Sequence, residues 1–415
     1  MARTDARQNA RPPLTEVTRG SGKALPLEGL RGVAALAVVF SHCFYTFFPY
    51  LQTGEASDLK YAWEHWLLNS PLRAFYNGTF AVTIFFVMSG YVLTRKFFEN
   101  GDLRSLQDGA SKRYLRLGIP VAASVLLCYA LMSLNAFPSD FSDLGSFIQS
   151  FYLFEPSIST AMRDAIYGSL VFGQSRYNYV LWTIGVEFLG SLLLFAYLSL
   201  FGYSRFRSWV AAAISILLMI ANPTNGILFA LFFVGAFMHT WRVPASPWSV
   251  AACVLVGLYL GGYHWYSVPY QPIVAGAEWI ASAGIRIEWP VAVPAVGSVL
   301  LVYAVLGKNK VSALLSTRPA VWLGDKSFSL YLTHTFVLSS LGIHVYLWTT
   351  GHPHILRSWA ATVAVAVASM VFSSVFARFV DAPSVKLAQQ FGKAFSASIT
   401  RAERPKTPSP REARE

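Results

Sequence analysis

Charged side chains are scarce in this 415-residue sequence, and acidic ones are the scarcer of the two signs. Only 13% of the residues are charged, 54% are hydrophobic, and the mean hydropathy is +0.44. A soluble domain averages about 25% charged residues, so this composition excludes an ordinary water-soluble globular protein. The 21 Asp and Glu are outnumbered by 33 Lys and Arg. In so hydrophobic a chain, the excess indicates basic cytoplasmic loops rather than nucleic-acid binding.

Cysteine is also rare, with only Cys43, Cys128 and Cys253 in the whole chain. Each lies singly in an apolar run, and their spacing is not that of a zinc or redox site, so we predict neither a disulfide framework nor a metal centre. The stretch His-Pro-His at 352–354 offers two ligands, which do not make a metal site.

Ten stretches are apolar enough to cross a membrane, which takes about 20 residues. They lie at 30–48, 77–96, 117–137, 178–201, 207–222, 226–242, 247–264, 290–307, 327–348 and 357–380. Only Asn-Pro-Thr-Asn-Gly separates the fifth from the sixth, which predicts a tight hairpin. The fifth to eighth are short, and one of them could instead be re-entrant. We predict an all-α, polytopic membrane bundle of about ten transmembrane helices.

The basic residues predict the orientation of this bundle. With the N-terminus inside, all but six of the 33 Lys and Arg fall on the cytoplasmic side, which basic residues favour. Both termini are then cytoplasmic, and the long loops 49–76, 138–177 and 265–289 face outward. We predict three parts in the chain: a basic flexible cytoplasmic tail over 1–26, a membrane domain over 27–382 and a basic cytoplasmic tail over 383–415.

Few polar side chains lie inside the predicted spans, where they are costly and commonly functional. Glu187 is the only acid well inside a span, and the histidines there are His42, His239, His334 and His344. At about 1.5 Å per residue, His42 lies about 16 Å from the cytoplasmic end of its span and Glu187 about 13 Å below the outer end. In a core about 30 Å thick these depths nearly match. The matching depths allow a His42–Glu187 pair.

Each of these residues also has a structural interpretation. An intramembrane histidine can simply hydrogen-bond to a neighbouring helix. Arg31, at the entrance of the first span, can be a topology anchor whose charge reaches the interface. The buried carboxylate of Glu187 would suit a proton-coupled transporter as well as an enzyme.

A basic rim is predicted at the inner mouth of the third span. Arg113 and Arg116 lie three residues apart on one helix face, and Arg95, Lys96 and Lys112 accompany them. The rim is either a positive-inside signal or a phosphate clamp, because arginine binds phosphate through two parallel hydrogen bonds.

Two further segments supply site candidates. Ser89 and Gly90 form a Ser-Gly step inside the second span, which allows close helix packing or a bend. Tyr331 and His334 lie three residues apart on one face of the ninth span. Hydrogen bonding between helices is the more common role of such a pair.

Five segments, in order along residues 27 to 334, together resemble the acyltransferase-3 family of membrane acyltransferases. They are LEGLRGVAALAVVFSH, FFVMSGYVL, the Arg113-Tyr-Leu-Arg116 pair, LWTIGVEF and SFSLYLTH. The resemblance implies transfer of an acyl group, usually acetyl, from cytoplasmic acyl-CoA. The implied acceptor is a hydroxyl of an extracytoplasmic glycan such as an exopolysaccharide or O-antigen, or sometimes a small molecule. The implied location is the plasma membrane, which in a bacterium is the inner membrane.

The family pattern also assigns residues. It implies a catalytic role for His42 with Arg31, acyl-CoA or structural roles for Arg113 and Arg116, and a less settled role for Glu187. We expect the CoA phosphates to meet the basic rim, including Arg95, while the thioester reaches His42. His42 would then act as general base or carry the acyl group covalently, and the sequence leaves both open.

The predicted catalytic set is therefore His42, Glu187 and Arg31, the predicted donor-binding set is Arg113, Arg116 and Arg95, and the other site candidates are Ser89, Tyr331 and His334. Expected partners are the bilayer, acyl-CoA, a carbohydrate acceptor and separate glycan-assembly proteins, without nucleic acid or metal. The alternative is a transporter or flippase that exports a glycan or small molecule. It does not explain the fixed spacing of Arg31 and His42 together with the arginine pair.

Overall fold

The structure is a computed structural model that describes residues 24–138, 143–244 and 246–402. All regular structure in these ranges is helical. The predicted flexible tail over 1–26 lies almost entirely outside the described residues, as does the last part of the chain from 403. In chain order the α-helices are α1 (Leu25–Phe47), α2 (Tyr50–Thr53), α3 (Ala62–Leu68), α4 (Gly78–Asn100), α5 (Leu103–Ser133), α6 (Ser146–Gln149), α7 (Ile158–Arg163), α8 (Ser169–Phe172), α9 (Leu181–Phe201), α10 (Arg207–Ala221), α11 (Pro223–Phe237), α12 (Pro247–Gly261), α13 (Gln271–Ser282), α14 (Trp289–Val305), α15 (Lys310–Leu315), α16 (Arg318–Val337), α17 (Ile343–Trp348), α18 (His354–Phe376) and α19 (Ala382–Ala402).

The prediction of an all-α, polytopic membrane bundle is confirmed. Within the described ranges, seven helical stretches are long and apolar enough to cross a membrane, and they contain α1, α4, α5, α9, α11, α16 and α18. Helices α10, α12 and α14 are apolar but have only 15, 15 and 17 residues. At about 1.5 Å per residue they fall short of a hydrocarbon core about 30 Å thick. These three belong to the group that the sequence predicted to be short.

Side-chain caps set the ends of the first long helices. Helix α4 begins after Asn77, whose side chain accepts hydrogen bonds from two backbone N–H groups, and ends before Gly101, which has φ 69°. Helix α5 begins at Leu103 because the Asp102 side chain caps it. The predicted start at 117 is therefore wrong, and most of the expected inner loop 95–116 is helical. Lys112, Arg113 and Arg116 of the basic rim consequently lie within a 31-residue helix, whereas Arg95 and Lys96 lie on α4.

The predicted hairpin after the fifth span is confirmed. Helix α10 ends at Ala221, and α11 begins two residues later with Pro223 in its first turn. The side chain of Asn222 accepts from the Asn225 N–H at 3.0 Å and so caps α11.

Helix α1 lies directly against α16, and two glycines allow this close approach. A Cβ atom added at Gly32 would lie 2.6 Å from the backbone nitrogen of Gly324, and one added at Gly324 would lie 2.0 Å from the Glu28 carbonyl oxygen. No side chain fits at either position. This contact brings the backbones of the two helices together. Ten residues further along each helix lie His42 and His334.

The chain after the tenth span continues as a helix along α5. A π-helical turn over Ala377–Asp381 leads into α19, which packs against α5. There Gly392 lies against the side chain of Lys112. The first part of the predicted cytoplasmic tail from 383 is thus a helix of the bundle up to Ala402.

Candidate active site

His42 and His334 form a hydrogen-bonded pair where α1 faces α16. Nδ1 of His42 lies 2.9 Å from Nε2 of His334, and the two rings are stacked with centroids 5.1 Å apart. His334 is fully buried, whereas His42 keeps part of its surface accessible. The two histidines therefore differ in what can reach them: His42 can meet a substrate, and His334 can act only through His42.

The hydrogen bonds of His334 fix the proton positions in the pair. Its Nδ1 lies 3.1 Å from the Leu330 carbonyl oxygen, which can only accept, so Nδ1 carries the hydrogen. Nε2 of neutral His334 is then an acceptor, and Nδ1 of His42 must donate to it. In neutral His42 this leaves Nε2 with a free lone pair. The network thus selects the tautomer that a base or nucleophile needs.

Two aromatic rings cover further parts of the His42 ring. Phe147 of α6 stacks on it with centroids 5.6 Å apart, and Tyr179 meets it edge-on at 5.2 Å. The hydroxyl of Tyr179 is buried and has no hydrogen-bond partner among the described residues. An enclosure of this kind excludes water and strengthens polar interactions inside it.

The predicted pair of His42 with Glu187 is wrong. Oε1 of Glu187 accepts from NH2 of Arg113 at 2.6 Å, and Arg113 also donates through Nε to Ser191 at 2.9 Å. Glu187 and Ser191 lie one helical turn apart on α9, and the side chain of Arg113 reaches both of them from α5. Tyr179, not Glu187, contacts the His42 ring, and Glu187 lies eight residues further along the chain, beside Arg113. The depth of Glu187 estimated from the ends of the apolar runs was therefore wrong as well.

Arg116 and Arg31 have carboxylate partners of their own. NH1 of Arg116 lies 2.5 Å from Asp381, which the π-helical turn before α19 presents, and its guanidinium lies over the ring of Phe328. NH1 of Arg31 lies 3.0 Å from both oxygens of Glu28, one turn earlier on α1. Arg31 and Arg116 are also close enough to act electrostatically on Arg113. We call Arg31, Arg113 and Arg116 the arginine cluster.

The remaining donor-site candidate, Arg95, lies on α4. Nε of Arg95 donates to Glu99 at 2.7 Å, four residues along α4. Both side chains are about one-third exposed, so this pair contributes little to stability. Arg95 stays a predicted donor contact.

A comparison with known protein families decides the class of the protein. The family model for the acyltransferase domain of the acyltransferase-3 type matches residues 26–378. The chain belongs to the acyltransferase-3 family. The resemblance inferred from the five segments is thereby confirmed, and the protein is a membrane acyltransferase.

Three proteins that are similar to this acyltransferase-3 chain carry acyltransferase names. It is 26% identical to the O-acetyltransferase PaAT-1 of Phomopsis amygdali, over 76% of this chain and 72% of that protein. It is 23% identical to the acyltransferase clz18 of Cochliobolus lunatus, over 75% and 80% of the two chains. It is 22% identical to the acyltransferase R4 of a Phoma species, over 79% and 83%. No solved structure is significantly similar to the chain.

Tyr331 and Ser89, two other predicted site residues of this acyltransferase, have packing contacts of their own in the structure. The ring of Tyr331 lies 6.0 Å from that of His334. Its hydroxyl does not bond to the histidine pair, because it lies 2.6 Å from the Thr183 hydroxyl and ties α16 to α9. Ser89 is half-buried beside Gly90, and Gly90 packs against the Phe232 carbonyl, where an added Cβ would lie 2.1 Å away. The Ser-Gly step therefore serves close packing of α4 on α11.

The other intramembrane histidines bond to backbone carbonyls. His239 donates through Nε2 to Tyr91 at 2.8 Å, and His344 donates through Nδ1 to Ser340 at 2.9 Å. In the outer loop after α12, burial and the nearby Arg73 lower the pKa of His264 to about 4, and its Nε2 donates to the Gln52 carbonyl. A neutral histidine held in this way is structural.

Sequence analysis missed Asn178, an amide just before α9 that hydrogen-bonds to the part of α16 carrying His334. Asn178 is fully buried. Its NH2 group donates to Ser124 at 2.7 Å and to the Leu332 carbonyl at 2.8 Å, and its oxygen accepts from Thr335 at 3.0 Å. Asn178 thereby fixes the stretch of α16 on both sides of His334. Its position, just outside an apolar run, was used only as a span boundary, although a buried amide there was a usable signal.

Proposed function

We propose that the protein transfers an acyl group, acetyl in the simplest case, from cytoplasmic acyl-CoA to a hydroxyl of an extracytoplasmic glycan. The observation that carries the proposal is the free lone pair on Nε2 of the accessible His42, with Nδ1 engaged by the buried His334. His42 lies eleven residues above Arg31 on one continuous helix, which is about 16 Å. His42 is therefore placed between the end of the bundle that holds the arginine cluster and the opposite end.

The proposed orientation puts the arginine cluster in the cytoplasm. Its support is the excess of Lys and Arg at that end of the bundle, which favours the cytoplasmic side in the plasma membrane. Both termini are then inside. Acyl-CoA carries phosphates, and Arg31 and Arg116 keep 28% of their side-chain surfaces exposed at this end. Arg113 is more enclosed and already holds Glu187 and Ser191, so we assign it to positioning α5 against α9 rather than to phosphate contact.

The proposed reaction uses Nε2 of His42 as general base. Nε2 takes the proton of the acceptor hydroxyl while the oxygen attacks the thioester carbonyl. The bond from carbonyl carbon to sulfur then breaks, and the imidazolium returns the proton to the departing thiolate. The products are an ester and free CoA. His334 accepts the Nδ1–H bond throughout and stabilises the charged ring, which is the task of the third group in a catalytic triad.

A covalent route would use the same lone pair. Nε2 of His42 would attack the thioester carbonyl, release CoA thiolate and hold the acyl group until the acceptor hydroxyl displaces it. Both routes need Nδ1–H of His42 directed to His334, so the hydrogen-bond network supports them equally.

The test is transfer of labelled acetyl from acetyl-CoA by purified, reconstituted protein supplied with host membrane glycan. His42→Gln keeps hydrogen bonding but cannot take up a proton, so we expect a rate loss of about 10²–10⁴-fold. His239→Gln is the matched control, because His239 is also an intramembrane histidine but bonds only a backbone carbonyl. Equal rates for wild type and His42→Gln would reject His42 as the base. Glycan movement across the bilayer without acetylation would favour a transporter.

A further inference from the structure

A pocket opens at the end of the bundle opposite the arginine cluster. It has a volume of about 620 Å³, and its walls come from the end of α1, the 57–60 turn, the start of α6 and the facing ends of α17 and α18. Its lining includes Lys60, Asp143, Ser146, Gln149, Tyr346 and Arg357. In the proposed orientation this is the extracytoplasmic end.

The lining offers donors and acceptors in balance. Lys60 Nζ donates to Nε2 of His354 at 2.9 Å, and Arg357 lies over the ring of Tyr346 at 3.9 Å while its Nε donates to that residue's carbonyl. The carboxylates of Asp58 and Asp143 match these two positive charges in number. The hydroxyl of Tyr346, a residue only 1% exposed, has no partner among the described residues. Hydroxyl groups both donate and accept, so a polyhydroxyl compound suits such walls.

Helix α6 separates this pocket from His42. The Gly145 N–H donates to the Thr46 carbonyl at 2.9 Å, and a Cβ atom on Gly145 would lie 2.1 Å from the Tyr45 carbonyl oxygen. The start of α6 therefore rests directly on the last turn of α1. Ser146 lines the outer pocket, whereas the next residue, Phe147, turns inward and stacks on His42.

Phe147 is the residue of this partition whose ring touches His42. Its ring lies 5.6 Å from the His42 ring at 21° and 4.6 Å from the Tyr45 ring at 26°. One face of a four-residue helix thus meets the outer pocket, and the other meets the ring whose Nε2 has the free lone pair. Stacked aromatic pairs are weak enough for a bound ligand to displace.

We propose that the outer pocket binds the acceptor as a polyhydroxyl compound, and that Phe147 keeps water from His42 until an acceptor hydroxyl takes the place of its ring. The inference rests on the proposed function, because it concerns the acceptor side of the same reaction. Without Phe147, water gives its proton to Nε2, its oxygen attacks the thioester carbonyl, and acetate and CoA result. With Phe147 in place, the acceptor oxygen does so instead, and the products are an ester and CoA.

The first experiment measures acetate and CoA release from labelled acetyl-CoA by reconstituted protein without acceptor. Removing the partition with Phe147→Ala should raise hydrolysis about tenfold, the size of effect expected for losing stacked aromatic contacts. Gly145→Ala should act in the same direction with the ring still present, because the new Cβ displaces the start of α6. Phe154→Ala is the matched control: this half-buried ring of the same outer segment packs on Tyr177, not on His42. Hydrolysis by Phe147→Ala no faster than by Phe154→Ala would overturn the partition.

The second experiment tests the pocket with methyl glucoside as polyhydroxyl probe and cyclohexanol as its one-hydroxyl counterpart. We expect acetylation of methyl glucoside at least tenfold faster. In Ser146→Cys protein, a negatively charged, membrane-impermeant thiol reagent should lower transfer to methyl glucoside at least tenfold while acetyl-CoA hydrolysis continues. Wild type treated with the same reagent controls for the native cysteines. Unchanged transfer after modification, or no preference for methyl glucoside, would overturn the acceptor pocket. A wild-type protein that releases no CoA with any acceptor would instead overturn the proposed function.

Discussion

The histidine pair and the arginine cluster each have one member on α1, His42 and Arg31, and they are built in opposite ways. His42 and His334 bond only to each other and to backbone, and neither has a carboxylate partner among the described residues. In the arginine cluster every guanidinium meets a carboxylate: Arg31 meets Glu28, Arg113 meets Glu187 and Arg116 meets Asp381.

The difference follows from the cost of charge at each depth. A permanent charge near the middle of a membrane is expensive, and an ion pair there must also offset the desolvation of both partners. A neutral histidine pair avoids that cost, and in the proposed reaction it becomes charged only while it holds a proton. Nearer the end of the bundle, arginine can be kept charged as long as a carboxylate is close. A glutamate beside His42 would have brought a permanent charge to the reacting centre.

Among the changes that test this difference, replacement of His334 should have the largest effect on the rate of acyl transfer. His334→Leu removes the acceptor for Nδ1–H of His42, and a hydrogen bond to a charged group is worth about 1.5–3 kcal/mol, so the rate should fall roughly 10–100-fold. His334→Gln should recover most of the loss, because its side-chain carbonyl can accept the same hydrogen bond. Labelled acetyl transfer at saturating acetyl-CoA measures both variants.

A purely structural His334 would give a different pattern. Leu and Gln would then lower the amount of folded protein alike, and neither would change the turnover of the molecules that remain folded. Turnover of His334→Leu equal to that of wild type would exclude a positioning role for His334.

A smaller effect on turnover, with a larger one on stability, is expected from Glu187. Glu187→Gln leaves the enclosed Arg113 without its carboxylate, which in buried pairs costs about 3–5 kcal/mol; the partial exposure of Glu187 should reduce this. Thermal unfolding in detergent should shift downward, and acetyl transfer per folded molecule should fall less than in His334→Leu.

The matched control replaces both partners, as Arg113→Met with Glu187→Leu. Replacing a whole buried pair by apolar side chains is often neutral, so the melting temperature should return toward that of wild type. If instead Glu187→Gln abolished transfer as fully as His42→Gln without any loss of stability, the original pairing of Glu187 with His42 would be the better description.

The sequence was sufficient for the spans and insufficient for the directions of side chains within them. Apolar runs, caps and the Asn222 turn are local features, so all ten apolar helices could be predicted. The His42–Glu187 pair was inferred from the ends of the apolar runs, and the structure places Tyr179, not Glu187, against the His42 ring. The level of one helix relative to another depends on contacts between them, and a single sequence does not tell which residues meet.

The partners of the pair were beyond sequence analysis for different reasons. His334 was a candidate, but on the helical face it shares with Tyr331, and the structure directs only His334 to His42. Phe147 lies in a long outer loop rich in aromatic residues, where an interfacial ring and a ring stacked on His42 have the same sequence context. Asp381 follows the tenth span, and only the π-helical turn aims it at Arg116.

The smallest expected effect concerns Arg116, and it decides whether the arginine cluster binds the donor or only shapes the protein. Arg116 is partly exposed, and a contact of such a side chain with phosphate should be worth about 1 kcal/mol, so Arg116→Gln should raise KM for acetyl-CoA about fivefold with kcat nearly unchanged. Asp381→Asn makes the comparison sharp, because it removes the carboxylate that now competes for the guanidinium. If Arg116 binds phosphate, Asp381→Asn should leave KM for acetyl-CoA unchanged or lower it. If the ion pair only fastens α5 to the turn before α19, both variants should lower the melting temperature alike and neither should change KM, and the donor role would then pass from Arg116 to the more exposed Arg95.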